Sequence, residues 1–431
     1  MRLCRRNFCL FLSLLLVLLF FASLYYFYFR APVSEKVSLR LIAQENWPDF
    51  EDDLDLSSLE LALERNLGYL KRLPGERPMD YGLKRVAVER VRLVQEELLA
   101  FLQQQPEPAG LKQFLKEKFE LLESVATDSG FWQKQNEPVL FTGYYVPTLR
   151  GSLQPDDKYR YPLYHKPDDL VTVDLPKFDL KRRILRLWPW LDQLPFGPRL
   201  EDLRFPVLRG RLSKAGKVVP YYSREEIDYN GKLKGQNLEL LWVDDEIDRF
   251  FLQIQGSGRV RMESGDSVMV GYSTANGQPY RSIGGWLIRQ GLMTRAEVSM
   301  PAIRAWLKAH PERVAEVFKV NPSYVFFRKL PNSDALGCYQ TPITGGRSIA
   351  SDRRVFPGGA LALIATEKPV FSQTGALLEW RKFQRLVLNQ DTGGAIKGPH
   401  RIDIYCGDDE AAELMAGVMK QPGRLFILMP K

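Results

Sequence analysis

The spacing of apolar positions divides the chain into an apolar opening run, a helical lead and a long β-rich remainder. No residue from Cys9 to Phe29 is charged, a run of 21 positions. At 1.5 Å rise per residue such a helix reaches ~31 Å, enough to span the hydrocarbon core of a bilayer. From Asp55 the period becomes that of amphipathic helices. Ser57 and Glu60 read as a capping box ahead of Leu59, Leu63, Leu67 and Leu70. Two further helices are predicted over 83–102 and 111–125, the second with Leu111, Phe114, Leu115 and Leu122 on one face.

Beyond Gly130 short alternating segments are punctuated by Pro, Gly and Asp, the texture of a β-rich unit. Over 259–270 the pattern predicts a hairpin in which Val260 and Met262 face Val268 and Val270. Short helical pieces return over 282–320, with Ser299 as an N-cap and Pro311 opening a new turn. A last β-rich stretch from Tyr324 contains one helix over 409–420, which Pro422-Gly423 separates from an apolar strand over 425–429.

Composition fits a folded protein of two or three units: 431 residues, 45% hydrophobic and 26% charged. Arg2, Arg5 and Arg6 precede the apolar run, which is longer than a secretory h-region, and Ala22-Ser23-Leu24 is a poor cleavage site. An uncleaved signal-anchor with a cytoplasmic tip is therefore expected. The first 36 residues hold five Lys/Arg and one Glu, so the net charge of +8 leaves 55 basic against 51 acidic residues beyond them. No basic run interleaved with aromatics suggests nucleic-acid binding, and an anionic glycopeptide polymer would suit the charge equally well. Cys338 and Cys406 could pair in an oxidising compartment. His165, His310 and His400 have no metal-ligand spacing.

Five segments could carry chemistry. Phe141-Thr-Gly-Tyr-Tyr145 offers a hydroxyl and amphipathic rings of the kind that stack on sugars, although such aromatic pairs more often sit in cores. Gln253-Ile-Gln-Gly-Ser-Gly258 lacks the third glycine and the following helix of a dinucleotide site; its glycines on a strand end suit either a sugar's approach to backbone or a simple turn. Asn276-Gly-Gln-Pro-Tyr-Arg-Ser-Ile-Gly284 and Asn321-Pro-Ser-Tyr-Val-Phe-Phe-Arg328 follow. The last segment pairs Asp391-Thr-Gly-Gly-Ala-Ile-Lys-Gly398 with Arg401-Ile-Asp-Ile-Tyr405. A single Asp-Thr-Gly does not make an aspartic peptidase, which needs two carboxylates sharing a proton.

In this order the five segments resemble the membrane-bound lytic murein transglycosylase A family with its C-terminal three-aspartate (3D) module, from about residue 138 to the end. The resemblance implies a mainly β fold with N-terminal helices, in which a double-psi β-barrel holds an inserted second β domain and a groove runs between them. It places the cytoplasmic tip and anchor at 1–36, the helical lead and first part of the barrel at 37–147, the inserted domain at 148–329, and the second barrel half at 330–431. It makes Asp403 the catalytic acid/base and Asp391 and Asp352 its acidic helpers. Thr142, Tyr144, Gln255, Ser257, Asn276, Tyr280 and Arg281 are expected to line the glycan groove. Neither Cys4 nor Cys9 follows a lipoprotein-type stretch, which departs from many family members and favours a peptide anchor in the inner membrane, with the outer membrane as the alternative.

The expected substrate is the glycan strand of peptidoglycan, cleaved outside the cytoplasm without metal or cofactor, and a cell-wall synthesis complex is a possible partner. A hydrolytic glycosidase and a non-catalytic wall-binding protein are the alternatives. Within Arg401–Tyr405, alternation puts Ile402 and Ile404 into the core and projects Asp403 from the other face, with Arg401 expected to point away from it.

Overall fold

The computed structural model describes residues 38–125, 138–175, 207–331 and 334–431. The expected anchor lies outside the described residues, and no described helix is long and apolar enough to cross a membrane. The lead comprises β1 (Ser38–Ile42), α1 (Leu56–Leu70), a small hairpin of β2 (Pro78–Asp80) and β3 (Arg85–Ala87), α2 (Val88–Leu102) and α3 (Pro108–Lys118). Then follow β4 (Phe119–Val125) and β5 (Val139–Tyr144). The middle of the chain gives β6 (Thr148–Ser152), β7 (Tyr161–Tyr164), β8 (Leu170–Asp174), β9 (Val207–Leu212), β10 (Val218–Pro220) and β11 (Glu239–Val243). After these come α4 (Glu246–Gln255), β12 (Ser257–Met262), β13 (Ser267–Ala275), α5 (Ile283–Arg289), α6 (Met300–Ala309), α7 (Val314–Lys319) and β14 (Val325–Lys329). The C-terminal part is β15 (Ser348–Ala350), β16 (Leu361–Phe371), β17 (Leu377–Asp391), β18 (Arg401–Tyr405), α8 (Glu410–Val418) and β19 (Lys420–Pro430).

Several sequence expectations need correcting, and the helix expected over 83–102 begins only at Val88, after β3. The first helix starts earlier than the Ser57 capping box, because Asp55 takes the N-cap position and accepts from the Ser57 amide at 2.9 Å. The helix expected over 111–125 stops at Lys118, and Phe119–Val125 is strand β4. Its Leu121, Leu122 and Glu123 are paired on both sides, with β1 and with β19, so tertiary pairing overrides a helical-looking pattern. The hairpin over 259–270 is present, with Val260 opposite Val268. Ser299 caps α6, and Pro311 opens a 3-10 turn. Pro422-Gly423 does not precede the last strand but lies within β19.

Strands β19, β16, β17, β15, β18 and β5 are successive neighbours, and an extra β19–β5 pairing closes them into a six-stranded barrel that β4 and β1 extend. Alternation along β16 shows how both barrel faces are filled. Ala362 and Ile364 enter the interior with Ile349, Val387, Ile402, Ile404 and Ile427. Leu361 and Leu363 pack outward with Leu386, Leu388 and Phe426 against Leu59 and Leu63 of α1, Leu98 of α2 and Leu115 of α3. Each such aliphatic side chain contributes roughly 1.5–3 kcal/mol on full burial. A second, six-stranded sheet in the order β14, β13, β12, β6, β11, β7 is inserted between β5 and β15. A separate three-stranded sheet joins β10, β9 and β8.

The chain leaves the barrel at Tyr145–Pro147. Two backbone bonds hold this crossing, Val146 N–H to Gly407 at 2.9 Å and Arg259 N–H to Pro147 at 2.8 Å. Gly143, the last inward position before it, packs flat beneath α8: a Cβ there would lie 2.8 Å from the Ala416 Cα and 3.0 Å from the Cys406 sulfur. Because the nearest obstacle is backbone, Gly143→Ala is expected to cost about 1–3 kcal/mol by overpacking. Denaturant unfolding of the variant beside the parent chain checks this, and an unchanged midpoint would show that α8 can shift away.

Candidate active site

The acidic site is a single row across the barrel. Ala350 of β15 pairs with Asp391 of β17 on one side and with Asp403 of β18 on the other, and Asp403 pairs with Thr142 of β5. Laterally paired residues project on the same face, so Asp391, Ala350, Asp403 and Thr142 stand side by side. With strands ~4.8 Å apart, the two aspartate Cα atoms are separated by roughly 10 Å. A small alanine side chain lies between them.

A β-bulge creates this row. Ile349 opposes Asn389, but Ala350 opposes Asp391, so Gln390 is the extra residue. Without it, Gln390 would stand opposite Ala350 and Asp391 would turn to the other face. On β18, Ile402 and Ile404 are fully buried in the interior, and the expected alternation projects Asp403 outward.

The two carboxyls are held differently. Asp391 Oδ1 accepts from the backbone N–H of Cys338 at 2.9 Å and of Thr392 at 2.8 Å, while its Oδ2 accepts from the Tyr144 hydroxyl at 2.9 Å. Asp403 Oδ1 accepts from the Thr142 hydroxyl at 2.8 Å, and its Oδ2 has no hydrogen bond among the described residues. Burial pushes each carboxyl up to about 6; the three donors work against this at Asp391, and the Asp391 charge adds to it at Asp403. Amide N–H groups can only donate and so favour the anion. With three donors at Asp391 against one at Asp403, Asp391 is the readier of the two to ionise, and Asp403 keeps its proton on an oxygen free to give it away. Burial and the Asp391 charge keep the Tyr144 hydroxyl protonated.

Asp352 is a different kind of carboxylate. It is buried, and although burial opposes its charge, the Arg354 side chain at 2.6 Å and the Gly398 N–H at 2.9 Å hold it down at about 2. It clasps the loop between β17 and β18. Among the described residues Arg401 forms no ion pair with Asp403, yet, against the expectation that it points away, its charge reaches Asp403 and opposes the rise of its pKa.

Of the residues expected in the groove, the structure brings Thr142 and Tyr144 directly onto the two carboxyls. Tyr280 is 48% exposed; burial raises the pKa of its hydroxyl, against which the Arg401 charge and a hydrogen bond with Ser282 work. Ser257 is half-buried at the start of β12, opposite Gly271, and Arg281 is exposed, with its backbone N–H bonded to Asn321.

Two expectations are corrected. Gln255 is a joint, its Oε1 accepting from the Tyr145 N–H at 3.1 Å and its amide donating to the Met300 sulfur. Asn276 is fully buried and bonds Tyr222, Pro322, Gln278 and Tyr324, so its amide has no group left for a sugar. The 253–258 motif also differs from the strand end expected, since Gly256 is the left-handed C-cap of α4 (φ 85°). Cys338 and Cys406 are free thiols and do not pair. Sequence reading missed Ala350 and the Cys338 N–H; the small-residue run Ser348-Ile-Ala-Ser351 was the available signal for the first, and a backbone donor leaves none.

Residues 140–328 match the MltA specific insert domain and residues 347–429 match the 3D domain. The membrane-bound lytic murein transglycosylase A of Vibrio cholerae is 32% identical over 339 residues, 78% of this chain and 75% of that protein. The Escherichia coli K12 protein of the same name is 32% identical over 67% of this chain and 65% of its own length. Among solved structures, a membrane-bound lytic murein transglycosylase from Agrobacterium tumefaciens aligns with TM-score 0.68 at 26% identity, covering 91% of this chain and 98% of its own. Escherichia coli MltA with bound chitohexaose aligns with TM-score 0.65 at 25% identity, covering 93% and 97%.

Fold and site thus define a 3D-domain barrel enzyme with an inserted MltA-type domain. Within that class, the chain belongs to the membrane-bound lytic murein transglycosylase A family.

The carboxyl pair sets an expectation for pH. Activity that requires protonated Asp403 falls as pH rises through about 6. Neutralising Asp391 removes the charge that helps keep Asp403 protonated, so Asp391→Asn moves this alkaline limb to lower pH. Asp403→Asn folds normally and loses ~10²–10⁴-fold in turnover. Rate–pH profiles of the three proteins on purified sacculi check the set. A near wild-type Asp403→Asn beside a dead Asp391→Asn would move the acid to Asp391.

Proposed function

We propose that the chain cleaves the β-1,4 bond between N-acetylmuramic acid and N-acetylglucosamine in peptidoglycan and leaves 1,6-anhydromuramoyl ends. The observation that carries this reading is the unequal carboxyl pair, with one oxygen of Asp403 free and all of Asp391 engaged. Hydrolytic glycosidases normally use two working carboxyls, one of them to activate water or form a covalent intermediate. Here a single carboxyl can do both proton transfers. Asp403 protonates the leaving glycosidic oxygen and then, as carboxylate, takes the proton from the muramic 6-hydroxyl as that oxygen closes on its own anomeric carbon. The atoms balance with no water consumed, and Asp403 ends protonated again. Asp391 keeps the pair's negative charge, and Tyr144 and Thr142 position the two carboxyls.

The same reading extends to the scaffold and its location. The barrel is of the double-psi type, supported by two parallel pairs within it, β5 with β18 and β15 with β17. The barrel halves and the insert follow the boundaries 37–147, 148–329 and 330–431. The family name of the relatives and the uncharged run of Cys9–Phe29 support a membrane-anchored enzyme whose catalytic part faces the periplasm, with the inner membrane favoured. Glycan strands are the partner, and a wall-synthesis complex is where such an enzyme would act.

Mass analysis of muropeptides released from sacculi tests the chemistry. Products lighter by one water than the corresponding reducing ends are expected. Reducing ends alone would make the protein a hydrolase, and binding without release would leave it a wall-binding protein.

A further inference from the structure

Arg401 opens β18 two residues before Asp403, so the two side chains leave the strand on the same face. Its guanidinium makes no hydrogen bond or ion pair among the described residues, and its Nε is shielded from solvent with no acceptor. Other half-buried or buried arginines of the barrel are fully engaged. Arg385 clamps Asp53 with two bonds of 2.7 Å, and Arg347 bonds Asp52, Ser58 and three backbone carbonyls. The charge of Arg401 reaches Asp403 on its own strand and the Tyr280 hydroxyl from the inserted domain. Arg401 is therefore near enough to both the acid and Tyr280 for its charge to act on each.

A shielded N–H without an acceptor is costly unless something arrives to accept from it. Asp403 is not that acceptor, because an ion pair would hold it as the anion and spoil it as an acid. The acceptor must come with the substrate. A guanidinium is suited to planar acceptors, donating side by side to a carboxylate or to an amide carbonyl. The two sugars of the glycan differ in one group of this kind: muramic acid carries a lactyl ether ending in a carboxyl, free or amide-linked to a stem peptide, which N-acetylglucosamine lacks.

Resting on the function proposed above, we infer that Arg401 is a specificity determinant that donates to the lactyl carboxyl or amide oxygen of the muramic sugar placed at Asp403. It lets the site distinguish a muramic from a glucosamine residue before the bond is broken. Among the described residues Arg401 has no hydrogen-bond or ion-pair partner, so its replacement breaks no such bond of the fold there.

The test measures binding to the full-length chain in detergent, with Asp403→Asn present to stop turnover. Three ligands of matched length are titrated: an alternating glucosamine–muramic hexasaccharide with free lactyl groups, the same strand bearing stem peptides, and chitohexaose. Arg401→Gln is expected to weaken both muramic ligands by roughly tenfold or more, the scale of a hydrogen bond to a charged group, and to leave chitohexaose within about twofold. Arg401→Lys, which keeps the charge but loses the fork, should recover more binding to the free lactyl carboxylate than to its amide. Equal losses on all three ligands, or no loss on any, overturn the assignment. Failure of the parent reading is seen separately, as the absence of anhydro ends when the wild-type chain digests sacculi.

Discussion

Two carboxyl groups on one face of the sheet, with a single strand between them, are each made reluctant to ionise by burial, and the hydrogen bonds around them decide which one keeps its proton longer. Asp391 receives three donors, two of them amides that can only stabilise charge, whereas Asp403 receives one and has a free oxygen. The Gln390 bulge is what makes the comparison possible, since it turns Asp391 onto the face that Asp403 already occupies. Ala350 keeps the carboxyls one strand apart, and its side chain is small enough not to fill the interval.

The barrel holds this row because neither face of its strands is spare. The interior is closed by Ile349, Ile402 and Ile404 directly behind the acids. Away from the site, the outer face is covered by the helical lead. The lead is attached through polar groups as well as leucines. Arg347 is fully buried and ties Asp52 and the start of α1 to β17, and Asp53 receives both Arg385 and Lys368. A buried arginine is tolerated only with this degree of pairing. The same rule makes an unpaired Arg401 beside the acid informative.

Much of the site is readable from short-range pattern. The alternation Arg401-Ile-Asp-Ile-Tyr405 assigns the faces of β18 correctly, and Thr142 and Tyr144 emerge from the same reasoning on β5. What escapes is whatever depends on pairing between distant segments. A bulge has no signature at Gln390 itself, and Phe119–Val125 looks helical until β1 and β19 flank it. Gln255 and Asn276 carry the polar chemistry of a sugar site, yet Asn276 spends its amide on backbone at the end of β13, and Gln255 takes the Tyr145 N–H and donates to the Met300 sulfur at the crossing. Residue type alone does not tell a ligand contact from a structural joint, because backbone and sugar present the same donors and acceptors.

The central claim is that, of the two buried carboxyls, Asp403 is the one that keeps its proton longer. Isotope-edited infrared or carbon NMR titration of aspartate carboxyls, assigned by Asp403→Asn and Asp391→Asn, measures this directly. The account predicts an Asp403 carboxyl that stays protonated until pH passes about 6 and ionises after Asp391. An Asp403 that ionises near the ordinary aspartate value of ~4, or a proton found on Asp391 instead, would contradict it.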